Sequence, residues 1–218
     1  MREALIIGAG GHSRVILSIL AEQATRSVIG VVDVNLPRLA DGFSNELIMR
    51  CPVLSLETLN SFAQPGNVDI FLAIGVVKLR RVWWEKLRDS GFSMPNLFSS
   101  HAIIDPSVKI GNSNVVCAKV FIGPEACLGN NNLINTGVIL EHESSVGNHC
   151  HIAPGSIIAG RSHVSDDCFV GAGSVIIDGI SLAQSTTLGA GSVLVNDITN
   201  SHGVYVGVPA RRISEGAK

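Results

Sequence analysis

A six-residue repeat runs without interruption from Ile104 to Thr199 and constrains the fold more than any other feature of the chain. Each repeat begins with Ile, Val or Leu. The sixteen first positions are Ile104, Ile110, Val116, Ile122, Leu128, Ile134, Leu140, Val146, Ile152, Ile158, Val164, Val170, Ile176, Leu182, Leu188 and Leu194. A helix needs an apolar period near 3.6 and an ordinary strand a period near 2. A period of about 6 therefore predicts a parallel β-helix with flat sides about one repeat long.

Two further positions of the repeat have a narrow composition. The fifth position is mostly small, as we expect where a second inward side chain must fit near a corner of the prism: Ala126, Ser144, Cys150, Ser156, Ser162, Cys168, Ser174, Thr186 and Ser192. The second position is often glycine, where we expect the corner to need a positive φ: Gly111, Gly123, Gly129, Gly147, Gly171 and Gly189. Three repeats should form one coil, so residues about eighteen positions apart should stack.

Composition excludes several classes of function. The chain has 218 residues and a net charge of −2, which is too near neutral for a nucleic-acid binder that works through a basic surface. No apolar run approaches the ~20 residues that span a bilayer, and residues 1–3 lead directly into a predicted strand without a signal peptide. The five cysteines lack CxxC spacing, so neither a disulfide framework nor a zinc site is indicated. We expect a reducing, cytoplasmic compartment.

The first hundred residues follow a different pattern. Short apolar runs at residues 4–8, 27–33 and 69–75 predict buried strands. The apolar residues Val15, Ile16, Ile19 and Leu20 predict a helix after the first run. Another helix is predicted after the third run by Leu79, Val82, Trp83 and Leu87. Gly91 is placed to end the second helix. The alternation predicts a Rossmann-like, mostly parallel α/β domain over residues 1–99, followed by an all-β parallel β-helix with a C-terminal tail over 100–218.

The turn after the first strand carries the first candidate site. Gly8, Gly10 and Ser13 occupy the three glycine positions of the dinucleotide pattern G-x-G-x-x-G, with serine in place of the third glycine. Backbone amides at a helix start bind phosphate, and Asp33 at the end of the next strand is placed to contact a ribose or a base. Gly75 closes the third strand at the same edge. The spacing also suits a plain tight turn between a strand and a helix.

The second candidate site lies in the middle of the repeat region. His142 occupies a third position, outside the aliphatic core, between Glu141 and Glu143. These carboxylates are placed to orient the ring and to stabilise its protonated form. The residue stacked on His142 one coil later is Gly160, and Glu143 should stack beneath Arg161. A solvent-exposed histidine without function is the alternative.

These features together resemble the bacterial sugar O- and N-acetyltransferases, over essentially the whole chain. The typical members are the nucleotide-activated amino-sugar N-acetyltransferases of glycan assembly. The matching segments are residues 6–13 (IIGAGGHS), 73–75 (AIG), 135–143 (NTGVILEHE), 151–155 (HIAPG) and 206–212 (VGVPARR). The resemblance implies a Rossmann-like nucleotide-sugar domain, a left-handed β-helix, acetyl-CoA as the donor, no metal, and a homotrimer with active sites between neighbouring solenoids.

The resemblance also implies roles for individual residues. His142 corresponds to the general base and Glu143 to the carboxylate that orients it. Gly10, Gly11 and His12 correspond to the nucleotide-binding turn, and Asp33 corresponds to its acidic partner. Gly75 lies nearby. Asn135 and His151 correspond to residues that line the acceptor and thioester site, and Gly160 to the position where the backbone meets the pantetheine arm. Two departures, Val76-Val77 after the third strand and Val34 after Asp33, leave the base and the sugar open.

The expected reaction is direct acetyl transfer from acetyl-CoA to an amino group on a nucleotide-linked deoxysugar, without an acyl-enzyme. Neutral His142 would remove a proton from the amine, and backbone amides would stabilise the oxyanion. Three alternatives stay open. They are a sialic-acid-type O-acetyltransferase, a metalloenzyme that uses His142, His149 and His151, and a non-catalytic scaffold that binds a nucleotide sugar.

Cys150 and Cys168 share the fifth position of their repeats, one coil apart. We therefore expect them to stack about 4.8 Å apart, the spacing of paired strands. Parallel side chains inside a packed prism rarely reach the torsion of about 90° that a disulfide needs. The pair is predicted to be reduced and structural.

Overall fold

The computed structural model describes residues 1–35, 43–57, 59 and 64–215. The chain divides into two compact units, Met1–Ser100 and His101–Lys218. The last residues of the predicted C-terminal domain, 216–218, lie outside the described residues. No helix among the described residues is long and apolar enough to cross a membrane.

Among its described residues, the N-terminal unit contains one five-stranded sheet and two thirteen-residue helices. In chain order its elements are β1 (Arg2–Ile7), α1 (Gly11–Gln23), β2 (Arg26–Asp33), β3 (Phe43–Ile48), β4 (Cys51–Ser55), β5 (Val68–Leu72) and α2 (Val77–Asp89), followed by the short strand β6 (Leu97–Phe98). The sheet order is β3-β4-β2-β1-β5. Strands β1, β2, β4 and β5 run parallel and only β3 is antiparallel to its neighbour, which confirms the predicted α/β class.

The β3–β4 hairpin has no counterpart in the sequence prediction. Its two-residue turn consists of Met49 and Arg50, with φ of 50° and 68°. Such turns usually contain Asn-Gly or a similar pair, because both central residues need positive φ. Neither residue gives that signal, and Pro52 inside β4 further weakens the strand pattern.

The buried face of α2 differs from the predicted one. Trp83 and Leu87 are buried as expected, but Leu79 and Val82 are 42% and 57% exposed. Arg80 is buried in their place, at 2% exposure. Its guanidinium donates hydrogen bonds to main-chain carbonyls at the end of β5, so a charged residue supplies a contact that an apolar pattern cannot reveal.

The C-terminal unit is a parallel β-helix built from sixteen two-residue strands. They are β7 (Ile103–Ile104), β8 (Lys109–Ile110), β9 (Val115–Val116), β10 (Phe121–Ile122), β11 (Cys127–Leu128), β12 (Leu133–Ile134), β13 (Ile139–Leu140), β14 (Ser145–Val146), β15 (His151–Ile152), β16 (Ile157–Ile158), β17 (His163–Val164), β18 (Phe169–Val170), β19 (Val175–Ile176), β20 (Ser181–Leu182), β21 (Thr187–Leu188) and β22 (Val193–Leu194). The chain ends in the antiparallel pair β23 (Gly203–Val206) and β24 (Arg211–Glu215).

Every third strand belongs to the same face of the prism. Face one contains β7, β10, β13, β16, β19 and β22, and face two contains β8, β11, β14, β17 and β20. Face three contains β9, β12, β15, β18 and β21, with β23 added beyond them. Paired residues are eighteen positions apart, as in Leu133 with His151 and His151 with Phe169. The predicted coil length is confirmed.

The repeat residues occupy the prism as predicted at two positions. All first-position residues from Val116 to Leu194 are buried, and Ile104 and Ile110 in the first coil are half-buried. The predicted fifth-position residues are buried as well. Many fifth-position side chains also donate a hydrogen bond to a carbonyl fifteen residues later, as Asn132 does to Gly147 at 2.8 Å and Ser156 to Gly171 at 2.8 Å. Small size alone therefore does not explain which residues occur at the fifth position.

The explanation for the second-position glycines was wrong. None of them has a positive φ. A Cβ at Gly129 would lie 2.6 Å from the Gly147 oxygen, and one at Gly171 would lie 2.4 Å from the Ala190 nitrogen. These glycines permit the close approach of the next coil. Positive φ occurs at the fourth position instead, whether the residue is Gly137 at 69° or Glu143 at 57°.

Candidate active site

His142 lies at the corner that leads from face one to face two, directly after β13. Its ring nitrogen Nδ1 is 3.1 Å from Oε2 of Glu143, and both side chains are about half exposed. Because an ionised carboxylate only accepts hydrogen bonds, Nδ1 of neutral His142 must be the donor. The lone pair is then on Nε2, the tautomer that a general base requires. The left-handed backbone of Glu143 is imposed by the fourth position of the repeat.

Gly160 lies one coil beyond His142, and the imidazole ring lies against it. A Cβ at Gly160 would stand 2.6 Å from both Cε1 and Nε2 of His142. Any side chain here would displace the ring, so the glycine is required by its neighbour. Gly160 is itself buried.

The amide of Gly160 is one of several third-position amides without a hydrogen-bond acceptor in the described part of the chain, but among these residues only Gly160 is buried. At the corner between faces two and three, third-position amides are capped by side chains of the next coil: Asn112 N by Asn130 Oδ1, Asn130 N by Asn148 Oδ1 and Asn148 N by Asp166 Oδ1, at 2.8, 2.9 and 2.7 Å. Gly160 N–H occupies the same position of its repeat at the His142 corner. Among the described residues, no group accepts a hydrogen bond from it. Buried amides without an acceptor are rare, and they indicate a place where a ligand oxygen binds.

Asp178 lies one further coil along the same column. A Cβ at Gly160 would be 3.0 Å from its Oδ1. The other carboxylate oxygen, Oδ2, accepts a hydrogen bond from Nη2 of Arg161 at 2.5 Å. Arg161 was expected to stack over Glu143, but its guanidinium pairs with Asp178. Sequence reasoning missed Asp178 entirely, although its spacing of thirty-six residues from His142 was a usable signal.

Asn135 and His151 lie together but elsewhere on the prism. The amide of Asn135 donates to the carbonyl of Ile152 at 3.0 Å, next to His151 on face three. The His151 ring packs edge-on against Phe169 with 5.1 Å between ring centres. His142 lies instead at the corner between faces one and two. The predicted site residues of this unit therefore form two groups, and the role of Asn135 and His151 stays a prediction.

The candidate nucleotide loop lies at the carboxyl end of β1, which pairs with β2 on one side and with β5 on the other. Gly8 has φ of 109°, and a Cβ there would stand 2.9 Å from the Ala73 oxygen. Gly10 and Gly11 are exposed, and nothing lies within 4 Å of a Cβ built on either. Helix α1 has no side-chain cap and no acidic residue in its first turn, which contains His12. This helix start suits an anion.

Ser13 explains how the loop tolerates the loss of the third glycine. Its side chain is fully buried, and its hydroxyl donates to the carbonyl of Gly10 at 2.7 Å. Serine is small enough to pack under the loop, and this bond holds the loop to the first turn of the helix.

Asp33 and Gly75 flank the loop on the neighbouring strands, as the sequence predicted. Oδ1 of Asp33 accepts the amide of Asn35 at 2.9 Å, which leaves Oδ2 without a hydrogen bond from the described residues. Gly75 is exposed, and its carbonyl accepts from Nη1 of Arg80 at 3.4 Å. The same nitrogen donates to the carbonyl of Ile74 at 3.0 Å. Arg80 therefore fixes the end of β5, a role that the sequence did not reveal.

The remaining histidines and cysteines do not form a reactive cluster. His149 contacts Asn131 at 2.9 Å, and His163 contacts Ser145 at 2.8 Å. Within the described ranges, no three His, Cys, Asp or Glu side chains are arranged to hold a metal ion. Burial raises the pKa of the Cys117 thiol to about 12. Burial raises the pKa of Cys150 as well, and the adjacent Cys168 raises it further, so these thiols are poor nucleophiles at neutral pH.

Comparison with known proteins places this geometry in a family. The model of the PglD N-terminal domain matches residues 3–87. Over 98% of its length the chain is 32% identical to a GDP-perosamine N-acetyltransferase from Caulobacter crescentus, covering 97% of that protein with a TM-score of 0.85. That protein, a histidine-to-alanine variant, was crystallised with CoA and GDP-perosamine. The chain belongs to the family of sugar N-acetyltransferases built on a left-handed β-helix.

A second relative supports the assignment. The acetyltransferase domain of PglB from Neisseria gonorrhoeae, solved with acetyl coenzyme A, is 27% identical and superposes with a TM-score of 0.88 over 97% of this acetyltransferase and 99% of that domain. A search of the curated proteins found no significant match. Family membership confirms the predicted enzyme class and the predicted left-handed β-helix.

Gly160→Ala tests the contact between the ring and the glycine. The added Cβ would lie 2.6 Å from Nε2 of His142, so we expect the imidazole to shift and the acetylation kcat to fall about tenfold or more. The melting temperature should change little, because the shifted ring is half exposed. Pro124→Ala, one coil below His142 in the same column, should keep normal kcat. Wild-type kcat in Gly160→Ala would show that the ring position is unimportant.

Proposed function

We propose that the protein transfers an acetyl group from acetyl-CoA to the amino group of a nucleotide-linked amino-deoxysugar. One observation carries this proposal. Nε2 of His142 lies close to Gly160, whose amide has no acceptor within the described ranges, so a base and a hydrogen-bond donor for an oxyanion are available at the same corner.

The chain's own groups support direct transfer. Nε2 of His142 takes a proton from the amine nitrogen as that nitrogen attacks the acetyl carbon, and Glu143 stabilises the imidazolium through Nδ1. Gly160 N–H donates to the carbonyl oxygen as it becomes negative. The C–S bond then breaks, and the thiolate receives a proton from His142. No acyl-enzyme is required, because the buried thiols described above are held protonated.

The N-terminal unit supplies the acceptor site in this proposal. Residues 1–99 form a nucleotide-sugar-binding domain, and residues 100–218 form the acetyltransferase domain. The diphosphate binds at the uncapped start of α1, on the amides around Gly10, Gly11 and His12. Asp33 contacts the ribose or base through its second oxygen, and Gly75 lies beside them. The GDP-perosamine bound by the Caulobacter relative supports a ligand of this class.

The two groups of site residues in the solenoid support an oligomer. His142 and Gly160 lie at the corner between faces one and two, whereas Asn135 and His151 lie along face three. In this proposal a site that uses both groups combines two copies of the chain, as in a homotrimer with sites between neighbouring solenoids. We assign the enzyme to cytoplasmic glycan assembly, where nucleotide sugars are acetylated before use.

A thiol-release assay tests the proposed function. Acetyl-CoA should be consumed with at least one UDP-, dTDP- or GDP-linked amino sugar, and N-acetyl product should form at the same rate as CoA. The same sugars with a hydroxyl in place of the amine should react far more slowly. Faster reaction of hydroxyl acceptors would show an O-acetyltransferase. Binding of nucleotide sugars without any thiol release would show a scaffold.

His142→Ala tests the base. The variant should keep its melting temperature and lose roughly 10² to 10⁴ of kcat, the usual share of general acid–base catalysis. Glu143→Gln should lose less, because it orients the ring and supports its charge without touching the amine. The exposed His202 is the matched control, and His202→Ala should keep normal kcat. Near-normal turnover by His142→Ala would remove this residue from the mechanism.

Gly10→Val tests the nucleotide loop. Its φ of −72° suits any residue and the space around it is open, so the variant should fold. The side chain would occupy the position of the phosphate, and the KM for the nucleotide sugar should rise at least tenfold while the KM for acetyl-CoA stays constant. Ser18→Val, at an exposed position further along α1, is the control. A selective loss of acetyl-CoA affinity would place the loop at the donor site.

Mixed oligomers test the shared site. His142→Ala and His151→Ala should each be inactive alone, but random mixed trimers should regain about a quarter of the wild-type activity, because a quarter of the interfaces then combine two intact histidines. Sedimentation equilibrium should give three chains per particle. No recovery in verified mixed trimers would place both histidines in one protomer's site or remove His151 from it.

A further inference from the structure

The column that contains His142 and Gly160 brings a carboxylate to the other side of the glycine. The position of a Cβ on Gly160 would be 2.6 Å from Nε2 of His142 and 3.0 Å from Oδ1 of Asp178. These two atoms are therefore within about 5.6 Å of each other. A nitrogen that hydrogen-bonds to two acceptors at about 2.8 Å each bridges separations up to this limit. Only glycine leaves the intervening space open.

Amine acylation releases one proton more than acylation of a hydroxyl, so a second acceptor beside the amine can assist it. Alkyl amines are largely protonated near neutral pH, by analogy with lysine and the α-amino group. An ammonium has three N–H bonds and the amide product has one, so two protons leave the nitrogen. The thiolate takes one of them and solvent takes the other. A hydroxyl acceptor loses a single proton, which the thiolate accepts, so His142 alone suffices for it.

We propose that Asp178 binds the acceptor amine from the side opposite His142, which rests on the proposed function above. Oδ1 of Asp178 accepts one N–H of the acceptor while Nε2 of His142 faces another, so the nitrogen lies over Gly160 next to the amide that receives the carbonyl oxygen. Asp178 is then a substrate-contacting residue that favours amines over hydroxyls.

Arg161 holds this carboxylate in place. Its guanidinium binds Oδ2, which leaves Oδ1 directed toward the column. The charged groups around the amine position are Glu143, which contacts Nδ1 of His142, then Glu141, which precedes His142 in the chain, and the Asp178–Arg161 pair. As an isolated surface ion pair, Asp178 with Arg161 would contribute little to stability, since both side chains are more than half exposed. Removal of the carboxylate should therefore affect catalysis more than folding.

Asp178→Asn, assayed with the amino sugar that the wild type turns over, tests the proposal. The variant should lose about tenfold to a hundredfold in kcat/KM for the amine acceptor, the range for a lost charge-assisted hydrogen bond. The KM for acetyl-CoA should not change, and the preference for the amine over the matching hydroxyl acceptor should shrink by the same factor. Asp178→Glu, which keeps the charge, should recover part of the loss. The control is Asp89→Asn, which removes an exposed carboxylate paired with Arg88 in the other unit.

The outcomes separate this proposal from the proposed function. Wild-type protein that releases no CoA with any amino sugar overturns both. Active wild type with unchanged amine kinetics in Asp178→Asn overturns only the role of Asp178. A rise in Asp178→Asn that is confined to the KM for acetyl-CoA also overturns that role, because it would show that the Asp178 carboxylate contacts the donor. Equal losses with amine and hydroxyl acceptors would also contradict it, because they would show no discrimination by Asp178. A melting temperature equal to that of the wild type excludes misfolding as the cause.

Discussion

The hydrogen bonds between successive coils are the interaction on which the site depends. Each coil donates to the next with a fixed offset, as Glu141 N does to Ile158 O at 2.9 Å and Ala159 N to Ile176 O at 3.0 Å. Because the offset is constant, residues at the same repeat position of successive coils form a column along the prism, with about 4.8 Å between coils. His142, Gly160 and Asp178 share one column because of it. A shift of one residue between His142 and Gly160 would separate the imidazole from the glycine that it covers.

Two corners of the solenoid differ in how the third-position amides of the backbone are paired. At the corner between faces two and three, asparagine and aspartate side chains cap the third-position amides of Asn112, Asn130 and Asn148. At the His142 corner the cap is absent and Gly160 N–H has no acceptor among the described residues. The stability lost by leaving this amide unpaired is of the order of 1–3 kcal/mol. The intact ladder of coils tolerates that cost, and in the proposed mechanism this amide donates to the oxyanion.

The sequence predicted the solenoid almost completely, because a period of six admits few other structures and each coil repeats the same packing. It also predicted the pairing of His142 with Glu143, which are neighbours in the chain. It did not predict the β3–β4 hairpin, whose turn uses Met49 and Arg50 in a conformation that they adopt only in context. The burial of Arg80 was missed for a similar reason, since its partners are carbonyls and carry no side-chain signal.

The central claim is that acetyl transfer occurs between Nε2 of His142 and the amide of Gly160. The most direct measurement is a crystal structure with a non-reactive acetyl-CoA analogue and the nucleotide amino sugar bound together. The account predicts that the carbonyl oxygen of the analogue lies about 2.7–3.1 Å from Gly160 N. It also predicts that the sugar amine lies within hydrogen-bonding distance of Nε2 of His142. A carbonyl oxygen bound to any other donor, with Gly160 N–H still unpaired, would contradict it.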